Sequence, residues 1–286
     1  MKKIILSMFC IFLLVGCSTK QENITIKKNN NQETVDLKVG FGLHHIEDGY
    51  SFDGKDVDIN YDYEVVGRDA NFGLMIFING IPQMIKHEDK ESLVYTFKGK
   101  KDTNKTEHVS IMPNTGSKGD HLYMHAFLIA DYEIVDSLKQ LTNKQHMMAC
   151  GTTFIDIHQD TANNPIDLNN NYDLLLKCIE KDFDLLKHDD EEGYFDNNLL
   201  IQFPNNLEGN FKKNKPITIK MSGISDNYIL WVLEDLKPVS SYHIELPKNK
   251  SAVLSYKPGN KTKNVKAIAI PLSSNLPEES TSLVVK

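Results

Sequence analysis

The sequence predicts an all-β protein: two tandem β-sandwiches of immunoglobulin-like or fibronectin-like type, joined by a short helical connector. Three observations carry that expectation. Apolar and polar residues alternate with a period of two over short runs, Gly, Asn and Asp punctuate those runs as turn signals, and the chain repeats its own pattern. The repeat is clearest where Phe72 to Pro82 lines up with Tyr228 to Pro238 at an offset of 156 residues. Both stretches read aromatic, any residue, Leu, three apolar residues, any residue, Asn or Asp, two more, then Pro. Val57 to Tyr61 corresponds to Ile217 to Met221, Val94 to Lys98 to Val253 to Lys257, and His108 to Pro113 to Lys266 to Pro271.

The first sandwich is expected over residues 35–137. Alternation in Val57, Ile59, Tyr61 and Tyr63, the run Leu74 to Ile78, the segment Leu93 to Phe97 and the segment Val109 to Met112 each read as a strand, and His121 to Asp131 closes the unit. Gly49, Asp53-Gly54, Asn79-Gly80, Lys98-Gly99 and Asn114-Thr115-Gly116 are the turns between them. About seven strands in roughly 100 residues is the economy of an immunoglobulin-like sandwich. Leu74 to Ile78 is apolar at successive positions, so this strand should be the most enclosed. The lone Trp231 falls in the matching run, which favours a core role over a ligand platform.

Residues 138–196 have a different character and are expected to form the connector. Asn169-Asn170-Asn171 offers helix caps, and Tyr172, Leu175, Leu176, Ile179, Phe183 and Leu186 then recur at helical spacing, predicting a helix of about four turns that ends before Asp189 to Glu192. Its apolar face should fix the angle between the sandwiches. Met147 to Ile157, earlier in the connector, reads as another strand. The second sandwich is expected over residues 197–286.

The front of the chain addresses location. Lys2 and Lys3 precede an apolar run from Ile4 to Val15, and Leu14-Val15-Gly16-Cys17 sets a small residue directly before a cysteine. This arrangement resembles the lipobox of bacterial lipoprotein precursors. The resemblance covers the leader alone and implies that residues 1–17 form a signal peptide ending at a lipidated Cys17, the first residue of the mature chain. It further implies a membrane anchor of fatty acyl chains, with the body on the extracytoplasmic side. Two acyl chains hold a protein stably where one does so only marginally. Residues 18–34, rich in Lys, Asn, Gln and Thr, read as a flexible tether with a reach on the order of 25 Å.

Charge narrows the partners. Loss of Lys2 and Lys3 with the leader lowers the basic count from 32 to 30 against 39 acidic residues, taking the net charge from −7 to −9. So acidic a chain argues against nucleic acid and anionic lipid as non-specific partners. Cys150 and Cys178 are the cysteines left for the folded part; a disulfide and two buried thiols both remain open.

Two constellations are candidate sites. Asp167, Asn169, Asn171 and Asp173 place oxygen donors at alternate positions as a Ca²⁺ loop requires, but Tyr172 stands where a turn glycine belongs and Cys178 where the closing Glu belongs. A helix cap in an Asn-rich loop is the competing reading. His121, Tyr123 and His125 fall on one face of a strand, with Leu122, Met124 and Ala126 on the other. Two imidazoles so spaced can share Zn²⁺, though spacing names no third ligand, and His44-His45 lies in the same unit. A Tyr and His strip equally suits protein recognition.

Catalytic signatures are absent from the sequence: there is no Gly-rich phosphate loop, His-Glu-x-x-His helix or Gly-x-Ser-x-Gly elbow. The expectation is a lipid-anchored, non-catalytic binding or interaction module without a resident cofactor, holding an envelope or extracellular protein or a small ligand. An extracytoplasmic hydrolase is the alternative. A solute-binding lipoprotein of a transporter is a third reading, weakened by the lack of alternating strand and helix units.

Overall fold

The computed structural model describes residues 37–44, 47–144, 146–163, 167–175 and 199–286. The leader with Cys17, the tether, the connector beyond Leu175 with Cys178, and the acidic run Asp189 to Glu192 lie outside the described residues. From Thr34 onward the chain forms one unit.

The first sandwich runs β1 (Lys38–Leu43), β2 (Tyr50–Phe52), β3 (Val57–Val66), β4 (Ala70–Ile78), β5 (Ile81–Pro82), β6 (Ile85–His87), β7 (Lys90–Ser92), β8 (Tyr95–Gly99), β9 (Thr103–Ile111), β10 (His121–Ala130) and β11 (Met148–Ile157), with the short helix α1 (Leu138–Asn143) before β11. One sheet has the order β1-β3-β9-β6-β7; the other has β2-β11-β10-β4-β5, with β8 also on β4. Ordinary alternation builds the first sheet. Val57, Ile59, Tyr61, Tyr63 and Val65 of β3 are buried, and the residues between them face outward. The strand order, and the parallel pairing of β2 with β11, are those of an immunoglobulin-like sandwich.

The second sandwich repeats the order with β12 (Asp173–Leu175), β13 (Leu199–Gln202), β14 (Asn210–Phe211), β15 (Ile217–Gly223), β16 (Asp226–Glu234), β17 (Lys237–Leu246), β18 (Ser251–Tyr256), β19 (Asn264–Pro271), β20 (Glu278–Glu279) and β21 (Leu283–Val285). Its sheets are β12-β18-β15-β13 and β14-β21-β19-β16-β17. Thus β13, β15 and β18 match β1, β3 and β9, while β14, β21, β19, β16 and β17 match β2, β11, β10, β4 and the β5–β8 edge.

Three sequence expectations need correction. The first two repeat segments align as predicted, but the last two are displaced by one strand. β18 pairs with β15 and is the counterpart of β9, not β8, and β19 pairs with β16 and is the counterpart of β10, not β9. Alternating strands resemble one another, so pattern matching slipped where loop lengths differ. Second, β11 belongs to the first sandwich, hydrogen-bonded along β10, so residues 148–157 are not connector. Third, the first residues of the helix expected from Tyr172 are a strand, while Leu176 to Leu186 lie outside the described residues. Asp173–Leu175 adds to the open side of β18, the slot that β6 occupies beside β9, because an unpaired strand edge outcompetes a marginal helix nucleus.

The sandwiches join face to face. Phe72, Leu74, Ile76 and Ile78 of β4 enter the first core, and Tyr228, Leu230 and Val232 of β16 enter the second. The intervening Met75, Phe77, Ile229, Trp231 and Leu233 meet in a third cluster with Phe127 and Ile129 of β10 and Ile268 and Ile270 of β19. These pairs occupy matching positions in the two units, so the seam has near two-fold character. The successive apolar residues of Leu74 to Ile78 are explained: both faces of the strand are covered.

The two hairpin turns seal the seam. Asn79 and Gly80 have φ of 49° and 76°, and their counterparts Asp235 and Leu236 have 49° and 66°, the left-handed pair that a two-residue hairpin turn requires. Trp231 Nε1–H donates to the Gly80 carbonyl at 2.8 Å, and Tyr132 O–H donates to the Leu236 carbonyl at 3.2 Å. Each sandwich therefore lends an aromatic donor to the turn of the other.

A side chain at position 80 would strike the second sandwich, since a Cβ there would sit 2.4 Å from Ile229 Cγ1, whereas one at Gly119 (φ 98°) would meet nothing within 4 Å. Gly80→Ala should therefore cost at least about 2 kcal/mol and Gly119→Ala about 1 kcal/mol, the latter from backbone strain alone. Urea unfolding measures both; equal costs would place Gly80 away from the seam.

Candidate functional site

The outward face of the β10–β11 pair is the best candidate surface, and its residues follow from pleat and register. His121 lies opposite Asp156, Tyr123 opposite Phe154, His125 opposite Thr152, and Phe127 opposite Cys150. Phe127 is at the seam, so going towards His121 the strip emerges from beneath the second sandwich. His125 is fully buried, Tyr123 and Phe154 are half-buried, and His121 is exposed. The three residues singled out from the sequence do share a face, but His125 is covered. The sequence held no signal that a second sheet would lie over it.

At the open end, His121 Nδ1 lies 2.7 Å from Asp156 Oδ1, and its ring stands 4.5 Å from that of Phe154 and 6.4 Å from that of Tyr123. Gly49 packs against the Phe154 ring so closely that a Cβ would lie 2.2 Å from it. The result is an aromatic ledge of His121, Tyr123 and Phe154 with one carboxylate, held on two central strands.

A hydrolytic reading of this ledge meets a geometric obstacle. Ser51 of β2 is opposite Asp156, so the row across three strands reads Ser51, Asp156, His121. In a Ser-His-Asp triad the imidazole stands between the other two. Here the carboxylate does, and two strand spacings of about 4.8 Å each separate Ser51 from His121.

The other candidate residues are placed as follows. Asp167, Asn169, Asn171 and Asp173 are all exposed along the second sandwich. Asn169 bridges to Tyr242 beside β17, its side-chain oxygen accepts the Asn171 N–H at 2.8 Å, and Asp173 is extended in β12. Tyr172 packs on the second core and its hydroxyl accepts the Glu245 N–H at 3.1 Å. This segment reads as a clip across the edge of the second sandwich. Among the described residues no three His, Cys, Asp or Glu side chains are grouped to hold a metal ion. His44 Nε2 contacts Asp62 at 3.0 Å, on the opposite sheet from His121. The Thr106 hydroxyl and that imidazole hold the Asp62 carboxyl below its usual range.

Sequence reading missed several polar links, of which those of Asn264 and Glu279 cross the seam and those of Arg68 and Lys266 lie within one sandwich. Arg68, the single arginine of the chain, makes a bidentate pair with the buried Asp131, whose φ of 54° aims it there. Asn264 takes the Val135 N–H at 2.8 Å and gives its own amide to the Val135 carbonyl at 2.9 Å. Lys266, fully buried, donates to the Ser280 carbonyl at 2.8 Å and pairs with Glu279 at 2.7 Å. Only the register that brings Val135 and Glu279 to β19 and β11 makes sense of these residues.

No family model matches the chain, and no curated protein matches it. Among solved structures, the periplasmic chaperone SfaE is 11% identical over 87% of this chain and 100% of its own, with a TM-score of 0.22. The fibronectin(III)-like modules of Clostridium thermocellum CbhA are 12% identical over 86% and 94%, with a TM-score of 0.20. The Salmonella enterica SafA pilin in complex with the SafB chaperone is 9% identical over 86% and 96%, with a TM-score of 0.26. The fold assignment rests on the strand order itself.

The exposed His121–Asp156 pair should contribute little to folding: Asp156→Asn is expected to cost under about 1 kcal/mol. Millimolar Ca²⁺ or micromolar Zn²⁺ should leave the thermal midpoint unmoved. A midpoint raised by either ion and lost in Asp167→Ala or His121→Ala would establish a metal site there.

Proposed function

We propose that this chain is a lipid-anchored extracytoplasmic surface protein whose work is non-catalytic binding of another envelope or extracellular protein. The anchor is Cys17, after cleavage of the leader, and residues 18–34 are the tether. The observation that carries the binding reading is the ledge of His121, Tyr123 and Phe154. It emerges from a sealed seam, so its aromatic rings are presented on a rigid two-sandwich body at small entropic cost. Aromatic side chains with a polar tip, held on adjacent strands, are what protein interfaces draw on. The order Ser51, Asp156, His121 weighs against hydrolysis on this surface, and the acidic balance of the chain weighs against nucleic acid.

Two measurements test the halves of this reading separately. Cys17→Ala should move the protein from the membrane to the soluble fraction of fractionated cells, and retention of unlipidated protein at the membrane would remove the anchor. Cross-linking on intact cells should capture a partner with the natural protein and lose it with the Tyr123→Ala, Phe154→Ala double variant. Equal capture by a folded double variant would move the binding surface elsewhere.

A further inference from the structure

We propose that the seam between the sandwiches is an acid-sensitive latch, released when His125 and His146 take up protons while each sandwich keeps its own fold. Both histidines belong to the first sandwich, both are fully buried, and both are covered by the second. Among the described residues these are the two buried histidines, and each has a neighbour from the second sandwich, Asn275 for His125 and Ser282 for His146.

His125 stands on β10 between Phe77 of β4 and Thr152 of β11, with Tyr123 beside it on its strand and Cys150 diagonal on β11. Apart from a weak contact with the Asn275 backbone, neither of its ring nitrogens makes a hydrogen bond, and the Thr152 hydroxyl makes none. The loop after β19 lies over it, and the charged group nearby, Asp226 at the start of β16, accepts from Ser273 and Asn275 of that loop. No carboxylate is hydrogen-bonded to the imidazole to stabilise a cation. Burial accordingly pushes its pKa down to about 4, which the Asn275 backbone offsets only in part.

His146 is held differently. Its Nε2 lies 2.8 Å from the Glu133 carbonyl, which can only accept, so that nitrogen carries the proton and Nδ1 takes the Ser282 hydroxyl of the second sandwich at 3.1 Å. The charged groups around it come from every neighbouring element: Asp131 with Arg68, Glu133 with Lys144 and Asn71, and Lys266 of β19 with Glu279 of β20. Burial is the larger cause and Lys266 the next in bringing its pKa down to about 4, against an opposing pull from Asp131.

The sign follows from linkage. An undocked imidazole is exposed and takes its proton near pH 6.5, whereas the docked rings resist protonation until about 4. Docking is therefore at full strength above about pH 6.5, weakens as the pH falls towards 4, and loses no more from these two groups below that. Trp231 reports the event because it is the only tryptophan and lies in the seam with its indole N–H on Gly80.

The test is an acid titration of the soluble chain lacking the leader, following Trp231 emission and far-ultraviolet circular dichroism together. Emission should shift to the red between about pH 6 and 4 while the β-sheet signal persists, and the His125→Leu, His146→Gln double variant should move that shift at least one pH unit lower. If emission and sheet signal change in one step, or if the double variant keeps the natural midpoint because Glu279 and its like carry the titration, the latch is refuted. Should the double variant not fold, the coincidence or separation of the two signals in the natural chain still decides.

Discussion

Burial of both faces of β4 and β16 is the constraint from which the rest of the structure follows. A sandwich strand normally shows one face to its core and the other to water. Here alternate residues of β4 and β16 serve separate cores, Leu74 and Leu230 within their own sandwiches, Phe77 and Trp231 between them. Four sheets are thereby stacked in one body. The sandwiches meet through sheet contact.

That contact sorts the polar residues as well. Along β10 the same outward face passes from Ile129 and Phe127, deep in the seam, through the buried His125 to Tyr123 and the exposed His121. Position relative to the edge of the second sandwich decides whether a residue of the strip is cement or binding surface. The matching face of β19 carries Asn264 and Lys266, and these are fully covered and fully engaged. One sandwich consequently ends in an available ledge, and the other ends in a fastening.

Much of the fold was legible because strand alternation and turn chemistry are local properties. The run Leu74 to Ile78 announced an enclosed strand, and the shared motif of Phe72 to Pro82 and Tyr228 to Pro238 identified equivalent hairpins with equivalent left-handed turns. What covered the second face was not legible, since continuous hydrophobicity marks burial without naming the neighbour. For the same reason Trp231 was expected in a core and is found in the seam. Strand identity beyond the first two repeat segments failed because β8, β9, β17 and β18 share alternation and differ in partner. At Asp173 to Leu175, the described start of the expected helix, spacing misled for a physical reason: the open edge of β18 supplies backbone hydrogen bonds that the segment gains at once. At the candidate site the common face of His121, Tyr123 and His125 could be read from spacing, but Asp156 and Phe154 joined it only through the register of β11.

The face-to-face docking of the two sandwiches is the claim on which everything else rests, and a double-mutant cycle across the seam tests it most directly. Phe77 and Trp231 come from different sandwiches, with ring centroids 6.4 Å apart. Unfolding free energies of the natural chain, Phe77→Ala, Trp231→Ala and the double variant should give a coupling of about 1 kcal/mol or more, as contacting side chains do. Strict additivity would mean that the two rings do not touch and that the sandwiches are not docked through these faces.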